Sequence, residues 1–163
     1  MARRASTPAA PPRPLLAGSY DEEALALSPD GRWLAYVSSE TGRREVFVRP
    51  FPEVDSGKWQ VSTTGGLSPA WAHSGRELFF VDGNGDLVSQ AVQPGESFTR
   101  GGQRVLFSMA GYREVGNYQH FDVAPDDQRF LMVRTRRRAE TEAQVLVVVE
   151  NWLEEVDGII EGR

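Results

Sequence analysis

Leu27 to Val37 reads L-S-P-D-G-R-W-L-A-Y-V, an apolar lead-in, a Pro-Asp-Gly turn and then an alternating strand. Pro29 presets φ for the second turn position, Asp30 can bond its own backbone, and Gly31 accepts the left-handed angle that closes such a turn. The stretch therefore predicts a β-hairpin. It recurs with drift at Trp71 to Val81, W-A-H-S-G-R-E-L-F-F-V, and at Val123 to Val133, V-A-P-D-D-Q-R-F-L-M-V. Three copies of one hairpin make the chain a repeat protein.

Outward from the first hairpin, the pattern predicts a unit of four strands: Ala24 to Leu27, Trp33 to Ser38, Glu45 to Pro50 and Trp59 to Thr63. Glu40-Thr41-Gly42 and Asp55-Ser56-Gly57 punctuate the later turns. The second unit repeats this as Pro69 to Ala72, Glu77 to Val81, Leu87 to Val92 and Arg104 to Ser108. The third has His120 to Ala124, Arg129 to Arg134 and Gln144 to Val149, and no fourth strand follows. Met109 to Gln119 reads as a longer inserted loop and Arg134 to Arg138, R-T-R-R-R, as a solvated hairpin loop. Pro14 to Ser19 reads as a lone strand resembling the last strand of a unit, and Met1 to Arg13 as a mobile arm.

The first two matched hairpins lie 44 residues apart. Four short strands per 40–45 residues is the signature of β-propeller blades, and a ring takes about four to eight of them. The fold class read from the sequence is therefore all-β, with three four-stranded blades per chain. Three blades leave two apolar faces open, which soluble monomers rarely do. The expectation is a six-bladed ring closed by a homodimer, in which the amino-terminal strand of each copy completes the third blade of the other. The boundaries are an arm at 1–13, the half-propeller at 14–156 (strand 14–19, blade one 24–63, blade two 67–108, blade three 118–150) and a tail at 157–163.

Composition narrows the function classes. Hydrophobic residues at 40%, sixteen glycines and ten prolines suit a globular β protein with many tight turns. A net charge of -5 offers no basic footprint for nucleic acid. The absence of cysteine removes disulfides and thiolate chemistry. No apolar run reaches the roughly 20 residues that span a bilayer, and Met1 to Pro14 lacks the apolar centre of a signal peptide. The chain as given is expected to be soluble and cytoplasmic, with no membrane partner.

S-P-D-G-R-W-L-A-Y-V-S at Ser28 to Ser38, E-V-F-V-R-P-F-P at Glu45 to Pro52, K-W-Q-V-S-T at Lys58 to Thr63 and G-R-E-L-F-F at Gly75 to Phe80 belong together with Asp122 to Val133. They resemble the WD-repeat-like, TolB-type propellers, specifically the blades that follow the membrane segment in many bacterial receptor-type serine/threonine protein kinases. The resemblance covers about Leu15 to Leu153, and no kinase motif is present. It implies a closed, extracytoplasmic sensor or interaction propeller, usually longer than this chain. Ile160-Glu161-Gly162-Arg163 matches a factor Xa recognition sequence and is left out of the fold.

In a propeller the loops entering the first strand of each blade crowd one mouth of the channel. Here that set is Tyr20, Asp21, Glu22, Glu23, Thr64, Tyr112, Arg113, Glu114, Asn117, Tyr118 and His120, a lining suited to a peptide or a small polar ligand. No cofactor is required, although Asp21, Glu22 and Glu23 are hard oxygen donors of the kind Ca²⁺ takes. His120 is the one candidate base, for an alternative ester, lactone or phosphotriester hydrolase. His73, Asp30, Asp126 and Asp127 read as turn residues, and Trp33, Trp71, Phe79, Phe80 and Phe130 as core between blades. The leading expectation is a non-enzymatic binding or scaffold module.

Overall fold

A computed structural model describes Pro11 and residues 14–112, 121–138 and 141–150, the side chains from residue 135 onward excepted. The chain is all-β, with a single 3-10 turn at Val54–Ser56 and no α-helix among the described residues. The strands are β1 (Glu22–Leu27), β2 (Trp33–Ser38), β3 (Glu45–Pro50), β4 (Trp59–Gln60), β5 (Gly66–Trp71), β6 (Glu77–Asp82), β7 (Asp86–Gln93), β8 (Thr99–Ser108), β9 (Phe121–Val123), β10 (Arg129–Arg138) and β11 (Thr141–Glu150). They form two four-stranded antiparallel meanders, β1-β2-β3-β4 and β5-β6-β7-β8, and a three-stranded sheet ordered β11-β10-β9.

The three matched hairpins close in the same way. The fourth turn residue donates its N–H to the residue three before it, from Gly31 to Ser28, Gly75 to Ala72 and Asp127 to Ala124, at 2.8, 2.9 and 2.9 Å. All three donors have positive φ, at 71°, 68° and 57°. Asp127 thus adopts an angle that costs an L side chain about 1 kcal/mol or more where glycine pays nothing. In the first turn the Ser28 hydroxyl accepts from the Trp33 N–H at 2.9 Å and donates to Asp30 at 2.6 Å. That bond is the main reason the Asp30 carboxyl titrates below its usual range.

Successive sheets stack through two apolar seams. Trp33, Ala35 and Val37 of β2 with Val46 and Val48 of β3 meet Trp71, Leu78, Phe80 and Val88 of the second sheet. The other face of the second sheet, through Phe79, Val81, Leu87 and Leu106, meets Phe121, Val123, Phe130 and Met132 of the third. Adjacent strand residues point to opposite faces, so Phe79 and Phe80 serve different seams. Each fully buried large side chain contributes about 1.5–3 kcal/mol, making the seams the main source of stability.

Residues 14–19 are unpaired within the single chain, where their expected partner, a second copy, does not occur. Three expectations need correction. β4 ends at Gln60 and not at Thr63, because the Ser62 hydroxyl takes the Val46 N–H at 2.8 Å in place of a ladder carbonyl. β8 begins at Thr99, earlier than its apolar pattern suggested, since the polar stretch from Thr99 to Gln103 pairs with β7 through the backbone. Arg134 to Arg138 is not a loop: these residues continue β10 in register with Thr141 to Val145 of β11.

Candidate functional site

Glu22 lies opposite Ser38 in the first sheet, Gly66 opposite Asp82 in the second, and Tyr112 bridges Arg134 beside the third. Ser38, Asp82 and Arg134 each follow the matched hairpin stretch by one residue, so they occupy equivalent positions. Tyr20 to Glu23, Thr64 and Tyr112 therefore stand at the same end of three successive sheets. Tyr20, Asp21 and Thr64 are exposed, while Glu22, Glu23 and Tyr112 are half-buried. Asp21 is pinned to Ser39 by a backbone bond and a side-chain bond, both of 3.2 Å. Glu23 pairs with Arg44 at 2.7 Å. Arg113, Glu114, Asn117, Tyr118 and His120 lie outside the described residues.

The three adjacent acids do not converge: among the described residues no group of three or more His, Asp or Glu side chains could hold a metal ion. Glu22 and Glu23 are successive residues of β1 and point to opposite faces, which separates two of the three.

A carboxylate that the sequence reading passed over organises this end of the molecule. Glu45 opens β3 and is fully buried; it accepts bonds from the Ser62 hydroxyl and, at 3.1 Å, from the Gly65 N–H, and pairs with Arg43 at 2.6 Å. It thereby holds the loop that enters the second sheet against the first. Close approach continues at Gly83, where an added Cβ would fall 1.8 Å from the Thr64 carbonyl oxygen. An acid beginning the apolar run E-V-F-V was the available signal.

At the opposite end a second carboxylate joins the other pair of sheets. Asp127 accepts the backbone N–H groups of His73 at 2.6 Å and Ser74 at 2.9 Å, and its oxygen lies 3.3 Å from the His73 ring. Burial works against ionisation, but the Ser74 and His73 backbone donors together hold the Asp127 carboxyl below its usual range. His73 and Asp127 are thus a clasp between hairpin turns and not independent turn residues. Beside the clasp lies an open groove of about 650 Å³ between the second and third sheets, lined among others by Arg76, Glu77, Ser89 and Arg104.

Stacked four-stranded antiparallel meanders with inter-sheet cores define the chain as a TolB-like β-propeller. It belongs to the lipoprotein LpqB β-propeller domain family, which matches residues 4–152. Among solved structures it is similar to oligogalacturonate lyase from Vibrio parahaemolyticus, with a TM-score of 0.59 at 11% identity over 83% of this chain and 40% of the lyase. It is also similar to a TolB-type protein from Agrobacterium tumefaciens, with a TM-score of 0.51 at 12% identity over 82% of this chain and 46% of that protein. The chain spans less than half the length of either, and at these identities the likeness is one of fold. No curated protein matches the sequence.

Proposed function

We propose that the chain is a binding and scaffold propeller module that closes its ring with a second copy of itself. One observation carries this reading. Leu25 and Leu27 on β1 are 66% and 48% exposed, and Leu131 on β10 is 40% exposed. Leu27 occupies the register position of Trp71, which in the second sheet packs onto the first. Leu131 occupies that of Ala35, which receives it. Leu27 and Leu131 thus stand at the register positions of a seam that the chain already builds once, and a head-to-tail pair would bring them together. Residues 14–19, unpaired within the chain, supply a strand for the partner's three-stranded sheet.

In such a ring the mouth carrying Tyr20, Asp21, Glu22, Glu23, Thr64 and Tyr112 occurs twice about one axis and offers alternating acids and hydroxyls to a peptide or small polar ligand. The hydrolytic alternative rests on His120, and no observation among the described residues favours it. The absence of cysteine makes a direct test simple. A Leu27→Cys, Leu131→Cys chain treated with a short bis-maleimide is expected to give a covalent dimer, and either single variant is not. Cross-linking that never joins two chains would overturn the model.

A further inference from the structure

The two seams differ at three register positions. Trp33, Val48 and Trp59 of the first sheet correspond to Glu77, Ser89 and Arg104 of the second, because Val48 pairs with Ala35 and Trp59 as Ser89 pairs with Phe79 and Arg104. In the first seam Phe98 covers the triad, with ring centroids 5.5 Å from Trp33 and 5.6 Å from Trp59. In the second the triad is polar, and the groove of about 650 Å³ stands open above it. Ser89 is nonetheless 1% exposed and donates to Glu77 at 2.6 Å, while Arg104 lies 3.2 Å from the same carboxylate oxygen. Placing such groups where the sister seam is apolar sacrifices packing, so the position calls for a polar occupant.

The charges of the groove show which occupant. Asp127 is committed to the backbone of His73 and Ser74, Asp126 to Arg129 at 2.9 Å, and Glu77 to Ser89 and Arg104. Arg76 lines the same groove, is exposed, and has no side-chain hydrogen bond or ion pair among the described residues. Gln103 and Gln128 add carboxamides that give and take hydrogen bonds. We propose that this groove binds a small hydroxylated carboxylic acid, with the carboxylate on the Arg76 guanidinium and the hydroxyls on the two carboxamides. A planar guanidinium matches a carboxylate in bidentate fashion, and the volume lies within the range of small-molecule sites. The groove is at the end opposite Thr64 and stands independently of ring closure.

Gluconate and its neutral counterpart glucitol are the probes, titrated into isotope-labelled full chain and followed by amide chemical shifts. Gluconate is expected to move the Ser74, Gly102, Gln103 and Gln128 amides saturably, and glucitol is not. Arg76→Gln should weaken binding about tenfold while leaving the remaining amide spectrum in place, and Arg76→Lys should weaken it less. Arg32→Gln, in the neighbouring turn and engaged by Asp30, should change nothing. No saturable shift with gluconate, equal shifts with glucitol, or binding indifferent to Arg76→Gln would each overturn the proposal.

Discussion

The seam between the first and second sheets and the seam between the second and third are built on the same register yet finished differently. The first is apolar to its outer edge, where Trp33, Trp59, Trp71 and Phe98 meet with centroids 5.5–6.4 Å apart. The second is aromatic around Phe130, which Phe79, Phe121 and Phe107 meet at 5.0, 5.8 and 6.0 Å, and is charged at Glu77 and Arg104. Each seam is also bridged by a carboxylate on backbone N–H donors, Glu45 on that of Gly65 at one end of the molecule and Asp127 on those of His73 and Ser74 at the other. A repeat fold can therefore hold its geometry constant through turns and register while outer side chains divide stability from recognition.

Equivalent substitutions sharpen that division. Trp33→Ala should cost about 3–5 kcal/mol, because it removes a buried aromatic and leaves a cavity beneath Phe98. At the matching position Glu77→Ala should cost only about 1 kcal/mol, since Arg104 and Ser89 are left beside an open groove that admits water. Denaturant midpoints of the two variants measure the difference, and equal losses would break the comparison. Glu45→Gln should fall between them at about 2–3 kcal/mol, as it uncharges an acceptor to which Ser62, Gly65 and Arg43 are bound.

Asp127→Asn should cost about 1–2 kcal/mol and change the response to acid. The folded-state carboxyl titrates below the ordinary value of 3.8, so its contribution is complete above that value and is withdrawn as pH falls through the lower folded-state one. Thermal unfolding of the parent should lose this increment in acid, whereas the variant should start lower and lack that component. Asp127→Gly would relieve the positive φ yet also lose the clasp, so a net destabilisation shows that the carboxylate outweighs the strain.

The parts of the fold with strong local chemistry were legible in the sequence. The Pro-Asp-Gly turn and the alternation after it located β2 and β3 to the residue, and the aromatics named as inter-blade core are buried in the two seams. Features that depend on distant partners were not legible. Ser62 ends β4 by substituting for the backbone, and Arg134 to Arg138 extend β10 because a facing strand is present, neither of which periodicity can report. That Tyr20 to Glu23, Thr64 and Tyr112 share one end of the sheets was legible from the repeat, while Glu45, the Asp127 clasp and the groove emerge only when register brings residues of different sheets together.

Ring closure by a second copy is tested most directly by the absolute mass in solution, from light scattering behind a sizing column across a concentration series. A stable dimer at about twice 18.1 kDa is the expected result, with Leu27→Glu shifting it toward the single chain. A monodisperse species of 18.1 kDa at every concentration would contradict the account.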